Sequence, residues 1–340
     1  MESDIIPKKL TIKDIARLSG FSKSTVSRVL KNDPNVKAST RAKIKEIMGK
    51  HNFIRSELAA SMVTGSLKMV LIIAGDIANP FYGRSVKKIE EVLDQAGYAT
   101  IVCSSNYNSE KEIRYLNLAA ECHVSGVILM TAIESQALYD VLDKLQCPVI
   151  LMNRYLKNRE FDTVVQDNYK SSYRATRYLI ECGHRNIAIL ASSIGSAAEE
   201  RVNGFLKAMA DAKCKVRPDM VVYGDLSSEC GAALAMRLAQ TQSDITALLV
   251  SNDAMTMGFV QKWHSIGKKI PEDISVICYD HTPVMDYLPV SISSVGVDGA
   301  FIGDKAADVL LSRIKGYTGP KQRIVLEAEL SIRKSVKIIS

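Results

Sequence analysis

The sequence predicts two architectures in one chain: an all-α helix-turn-helix headpiece, followed by an α/β core of two lobes with parallel sheets. Three observations carry that expectation. The chain has 340 residues, 47% of them hydrophobic, which is more than a single core usually encloses. Its positive charge lies at one end: residues 1–65 hold 13 Lys and Arg against 6 Asp and Glu, whereas residues 66–340 hold 31 of each. The hydrophobic spacing also changes, from helical periods in the basic segment to short apolar runs alternating with amphipathic stretches from Met69 onward.

In the basic segment, Thr11 followed by Asp14 forms a capping box, and Ile12, Ile15, Ala16 and Leu18 then repeat at helical spacing. Gly20 is a stop signal able to take positive φ. Ser22 with Thr25 opens a second helix, whose inward face is Val26, Val29 and Leu30. A third helix, Thr40 to Lys50, adds Ile44, Ile47 and Met48 to the same small core and ends before Asn52. Such a trihelical unit places its second helix in the DNA major groove, and a basic excess gains affinity there by releasing counterions. The outward positions are Lys23, Ser24, Ser27 and Arg28. Of these, only Arg28 has the forked donor that matches O6 and N7 of guanine. Thr11, Ser22, Thr25 and Lys31 complete the candidate contacts to double-stranded DNA. A purely structural helical hairpin on a solvated basic tail is the plainer alternative, and the charge excess with the small hydroxyl residues weighs against it.

Strand candidates in the core are MVLII, ATIVC, GVILM, PVILM, TVVQ, IAILA, MVVY, ALLVS and ISVICY. Helical stretches lie between them, among them Val86 to Gln95, Tyr169 to Cys182, Ala197 to Ala212 and Asp253 to Ile266. So many strands crowd one open sheet, and a break near Asp167 and Asn168 divides them into two similar lobes. In open parallel sheets ligands sit beyond the carboxyl ends of the strands. Polar residues that follow strands there are Asp76, Arg154, Asp167, Asn252 and Asp280. Arg201 opens the RVNGF helix, and Phe81 and Tyr82 offer an apolar face. Carboxylates, an amide and two guanidinium groups aimed at one crevice suit a ligand rich in hydroxyls. Each also has a structural alternative, such as a helix cap or an Arg154–Asp167 ion pair.

The run TIKDIARLSGFSKSTVSRVLKNDPNVKASTRAKI resembles the headpiece of the lactose-repressor (LacI/GalR) family of bacterial transcription regulators. Core segments DIANPFY, DNYKSSYRATRYLIECGHRNIAIL, RVNGF, SNDAMTMG and ISVICYD extend the resemblance from Thr11 to about Arg333. It implies a periplasmic-binding-protein-like core and a homodimeric, sequence-specific repressor on a near-palindromic operator. Control would come from a small effector, a sugar or nucleoside-type metabolite, bound between the lobes. A relative that answers to a protein partner instead is the alternative. The implied divisions are a headpiece at 1–52, a hinge helix and linker at 53–66, and a core at 67–340. Lobe one then takes about 67–167 and 296–325, and lobe two about 168–295 and 326–340. In the hinge, Met62 takes the place of the family's leucine wedge in the minor groove. Arg55 stands where relatives commonly have proline, and Ala60 where they commonly have arginine. Lys37 replaces the capping serine of the third helix, with Ser39 able to cap one turn later. Leu226 stands at the family's aromatic clamp position and so joins the candidate effector contacts. Cys278, His281 and Ser171 replace a glycine, an acid and a glycine.

Other chemistry finds little support, and the chain is not expected to be an enzyme. Its 5 His lack a metal-binding spacing and its 7 Cys are scattered without a C-x-x-C pair, so neither metal nor cofactor is expected. A glycine-rich phosphate loop and a G-x-S-x-G elbow are both missing. No run approaches the roughly 18 apolar residues of a membrane helix, and the opening MESDIIPKKL is not a signal peptide, so the expected location is the cytoplasm. No leucine heptad follows RIVLEAELSI, which favours a dimer over a tetramer.

Overall fold

The computed structural model describes residues 10–30, 32–53 and 67–339, which belong to two compact units divided at Leu67. Lys31 and the hinge residues 54–66, with Arg55, Ala60 and Met62, lie outside the described residues.

Among the described residues the first unit holds three helices, α1 (Ile12–Ser19), α2 (Lys23–Leu30) and α3 (Ala38–Lys50). The Thr11–Asp14 box starts α1: the Asp14 carboxylate accepts from the Thr11 N–H at 2.9 Å, and the Thr11 hydroxyl accepts from the Asp14 N–H at 3.4 Å. Gly20 ends α1 at φ 73°, and Ser22 opens α2 by accepting from the Thr25 N–H at 3.1 Å. Ile15, Val26, Val29 and Ile44 form the buried centre, with Phe21, Leu30, Ile47 and Met48 packed around it. Leu18 departs from expectation and is exposed. Ile12, Ile15, Ala16 and Ser19 recur on one stripe, and Leu18 falls to its side. The third helix also begins earlier than Thr40, and Ser39 lies inside it rather than capping it; no side chain caps this helix.

The second unit alternates strands and helices. Its strands are β1 (Leu67–Ala74), β2 (Ala99–Ser104), β3 (Val124–Leu129), β4 (Val149–Met152), β5 (Asp162–Gln166), β6 (Ile187–Ser192), β7 (Val221–Gly224), β8 (Ala247–Val250), β9 (Ser275–Tyr279), β10 (Ser293–Gly296), β11 (Arg323–Leu326) and β12 (Glu329–Ser331). Its helices are α4 (Pro80–Gln95), α5 (Ser109–Glu121), α6 (Gln136–Leu142), α7 (Asn168–Glu181), α8 (Gly195–Asp211), α9 (Ser228–Gln240), α10 (Asp253–Ser265) and α11 (Gly299–Ile314).

Two six-stranded sheets result, in the orders β11-β5-β4-β3-β1-β2 and β12-β10-β9-β8-β6-β7. Strands such as VSGVIL and IAILAS are buried along their whole length, because helices cover both faces of a parallel sheet. Pairing is parallel, as in Met69 opposite Ala99 and Ala247 opposite Ser275, except that β12 runs antiparallel to β10. The chain passes between sheets after β5, after β10 and after β11. The order in each sheet leaves a crevice where strand order reverses, beside β1 in one lobe and β6 in the other.

Helices α9 and α10 approach so closely that their glycines meet backbone. A Cβ on Gly231 would lie 1.9 Å from the Met255 carbonyl oxygen, and one on Gly258 would lie 1.8 Å from that of Ser228. Neither neighbour is a side chain that can rotate away. Gly258→Ala is therefore expected to destabilise the core by about 1–3 kcal/mol or more, although alanine is the better helix former. Urea unfolding of the two proteins checks this, and an unchanged or raised midpoint would refute the close approach.

Candidate functional site

Two sites emerge, one in each unit. In the first, α2 turns Lys23, Ser24 and Arg28 outward, while Thr25 and Ser27 are half-buried at its flanks. The Arg28 guanidinium is held only loosely, with Nε 3.9 Å from Asp33 in an exposed ion pair. Ser22, exposed before the helix, shares hydroxyl hydrogen bonds of 2.8 Å with Ser24 and Thr25. Thr11 is exposed too, but its hydroxyl is engaged with Asp14. The face thus offers cations and hydroxyls on a rigid helix, a surface suited to phosphates and base edges.

In the second unit the carboxyl ends of both sheets face one cleft. Phe81, Tyr82, Arg154, Arg201, Leu226, Asn252 and Asp280 line it, together with Asn79, Tyr107, Asn153, Ser192 and Ser251, which the sequence did not single out. Asn153 and Ser251 sit in the same post-strand position as their neighbours Arg154 and Asn252, so the signal was there to extend. Tyr107 lies in the loop beyond β2, where no periodicity marks it.

Arg201 is the hub. Its Nε donates to Asn168 Oδ1 at 2.8 Å, Nη1 donates to the Ser251 carbonyl at 2.5 Å, and Nη2 lies 3.8 Å from Asp280. Its guanidinium carbon stands 3.9 Å from the centre of the Tyr279 ring. Asn252 caps α10 by accepting from the Met255 N–H at 2.8 Å, and its Nδ2 donates to the Leu226 carbonyl at 2.9 Å. Asn79 caps α4 in the same manner, at 2.9 Å from the Phe81 nitrogen, which sets the Phe81–Tyr82 pair edge to face in the cleft.

Two expected contacts fall outside this lining. Asp76 spends its carboxylate on the Ala78 N–H at 2.9 Å, shaping the turn before α4. Asp167 caps α7 through the Lys170 N–H at 3.0 Å and pairs with Lys170. A short acid just before a helix finds a free N–H nearer than any ligand. Arg154 does not pair with Asp167; it donates to the Thr131 carbonyl at 2.7 Å.

Burial sets the electrostatics. Asp280 is only 5% exposed, and loss of hydration pushes its carboxyl up from 3.8 to about 6 against the opposing pull of Arg201. Asp253, also buried, is raised well above the usual carboxylate range by burial and by the charge of Asp280. It is held by the Thr282 hydroxyl, which donates at 2.9 Å. Burial likewise raises Tyr82 and Tyr107. The arrangement is chemically suited to binding and orienting a polar molecule. Among the described residues no group of three or more His, Cys, Asp or Glu could hold a metal ion, and no helix is long and apolar enough to cross a membrane.

Comparison with known proteins identifies the family of the chain. Residues 11–56 match the model of bacterial regulatory proteins of the lacI family, and residues 176–336 match that of the periplasmic binding protein-like domain. The transcriptional repressor PurR of Vibrio vulnificus is 30% identical over 332 residues, covering 97% of this chain and 99% of that protein. The transcriptional regulator DegA of Bacillus subtilis is 30% identical over 331 residues, covering 96% and 98%. Among solved structures, a lac repressor dimer bound to operator and the anti-inducer ONPF is 25% identical with a TM-score of 0.82, covering 97% of this chain and 100% of that one. A complex of the regulator CelR with cellobiose is 26% identical with a TM-score of 0.72, covering 96% and 100%. The chain belongs to the lacI family of bacterial regulatory proteins and is a DNA-binding transcription regulator rather than an enzyme.

Proposed function

We propose that the chain is a homodimeric repressor that reads a near-palindromic operator through α2 and is switched by a small effector held in the cleft around Arg201 and Asp280. The observation that carries the reading is the outward, loosely held Arg28 on a helix stabilised from behind by Val26 and Val29. A two-fold dimer presents two such helices to two half-sites. The similarity to a repressor dimer on its operator supports this, and the similarity to a cellobiose complex supports a small molecule in the cleft. Residues 1–52, 53–66 and 67–340 then serve as headpiece, hinge and effector core, with Met62 as the wedge. The effector acts by binding one arrangement of the lobes more tightly than another, and the sign of regulation follows from which arrangement holds DNA.

Arg28→Ala is expected to cost about 1–3 kcal/mol on an operator selected from random DNA, with little loss on unrelated DNA at the same salt. Fluorescence anisotropy measures both; equal losses would remove base reading from Arg28. Met62→Ala is expected to reduce the bend of the bound operator while the headpiece keeps its fold. Energy transfer between dyes on the DNA ends reads the bend, and an unaltered angle would take the wedge role from Met62.

Asp280 gives a signed pH dependence. Its folded carboxyl holds a proton above the pH at which the unfolded one releases it, so its contribution to stability is greatest below 3.8 and falls as pH rises toward about 6. Asp280→Asn removes that slope and also relieves Asp253, whose contribution has the same sign. The stability of the unaltered protein minus that of Asp280→Asn should therefore decline across this range. Denaturant titrations at successive pH values test it, and a difference that grows with pH would contradict the burial argument.

A further inference from the structure

Among the described residues, every deeply buried guanidinium but one has a counter-ion. Arg201 faces Asp280 at 3.8 Å, and Arg313 grips Asp162 at 2.8 Å. Arg154, 4% exposed, has no carboxylate within ion-pair distance among the described residues. Its one acceptor among the described residues is the Thr131 carbonyl, reached by Nη1 at 2.7 Å, and it stands 5.7 Å from the Tyr107 ring. The buried acid Glu112 lies behind Thr131, beyond ion-pair distance but near enough to feel the charge of Arg154. That acid bonds the Thr131 hydroxyl and the Ile133 N–H, and burial pushes it toward its neutral form. A cation taken out of water without a partner is costly, so an unpaired one lining a cleft marks the place of an anion.

The guanidinium also lies against the start of α8. A Cβ on Gly195 would sit 2.9 Å from Arg154 Cδ. Ile194 occupies the cap position and supplies no side-chain acceptor, the first turn of α8 has no acid, and the Ser196 hydroxyl is occupied by the Tyr155 N–H at 2.9 Å. Glu199 and Glu200, farther along α8, are engaged by Lys157 and by the Tyr155 hydroxyl. A long helix thus points an unneutralised positive end at the groups around Arg154. Two further side chains lining the same cleft have polar atoms without a protein partner: the Ser251 hydroxyl, 1% exposed, and Asn153 Oδ1, 9% exposed. Unmet polar atoms at this depth belong with a ligand.

We propose that the effector is a small hydroxylated acid, bearing a carboxylate or phosphate group seated beside Arg154 where its side chain meets the start of α8. Its hydroxyls face Arg201, Asp280, Asn252 and Ser251. This rests on the reading of the cleft as the effector site and narrows it to one charge class.

The test uses the full chain and pairs of compounds differing in charge: D-glucuronate against D-glucose, D-gluconate against D-glucitol, and a ribose phosphate against ribose, with inorganic phosphate alone. Calorimetry and thermal melting are run at constant ionic strength. At least one acid should bind about tenfold or more tightly than its neutral partner, a margin of one charge-assisted contact. Which acid does so separates carboxylate from phosphate, and that acid should raise the melting midpoint. Arg154→Gln should remove the preference and the shift, while Arg154→Lys, which keeps the charge without the fork, should retain part of both. Neutral members that match their acids, no anion raising the midpoint, or a preference that survives Arg154→Gln would each overturn the proposal. Should the variants melt early without ligand, the comparison of pairs on the unaltered protein decides alone. Selection of operators from random DNA with the same preparation separates the two readings. Sequence-specific DNA binding without an anion preference removes only this inference, and anion binding without specific DNA binding removes the regulator and leaves the seat.

Discussion

One buried guanidinium organises the second lobe of the core. Arg201 leaves α8 to reach the start of α7 through Asn168, the end of β8 through the Ser251 carbonyl, and the end of β9 through Asp280. A cation at this depth costs on the order of several kcal/mol in lost hydration unless its donors and charge are met. Meeting them draws Asp280 out of solvent, and Asp280 in turn keeps the neighbouring Asp253 toward its neutral form. Much of the polarity of the cleft thus follows from a single requirement, since Ser251 and Asp280, which meet Arg201, both line it. The first lobe has a guanidinium of its own in Arg154, but its satisfaction is incomplete.

The cleft is also where the backbone departs from easy conformations. Asn153, Leu226 and Asp280 have φ of 69°, 71° and 76°, in the left-handed region. Asn and Asp tolerate that region because their short side chains bond locally; leucine does not, and the conformation costs it about 1–2 kcal/mol. The Leu226 carbonyl is held in place by Asn252 Nδ2, so the cost is imposed by the same residue that caps α10. Strain collected at the mouths of strands, on residues that share one cleft, fits a binding site better than a packing accident.

Local chemistry made much of this legible in the sequence. The Thr11–Asp14 box, the Gly20 stop and the long apolar strands each follow from interactions within a few residues, and each forms as the chain reads. β10 did not declare itself, because its sequence SSVG is polar although buried; Arg333 donates to the hydroxyls of Ser293 and Ser294 from a distant stretch of chain. Post-strand position identified Arg154, Asn252 and Asp280 as cleft groups, and Arg201, expected to open a helix, reaches the cleft from within α8; the same rule chose Asp76 and Asp167, which fall outside the lining. The rule locates the end of a strand but not the choice of a side chain between a ligand and the nearest free N–H, which depends on whether a helix begins at once. Tyr107 required the fold itself, since only sheet topology brings the loop after β2 beside the end of β1 at the cleft.

The backbone joins the two lobes in a narrow strip. The three passages between sheets are bonded to one another: the Val297 N–H donates to Gln166 Oε1 at 3.0 Å, and the Asp167 N–H donates to the Leu326 carbonyl at 3.0 Å. Three separate strands would let the lobes shear independently; strands tied side by side restrict them to turning about a common strip. Asp167, unavailable to a ligand because it caps α7, therefore belongs to this joint, with its carboxylate fixing the helix and its N–H fixing a neighbouring passage. A ligand bridging Arg154 of one lobe and Arg201 of the other acts on opposite sides of that strip. The leverage of any such ligand is the difference in its contacts between one lobe angle and another.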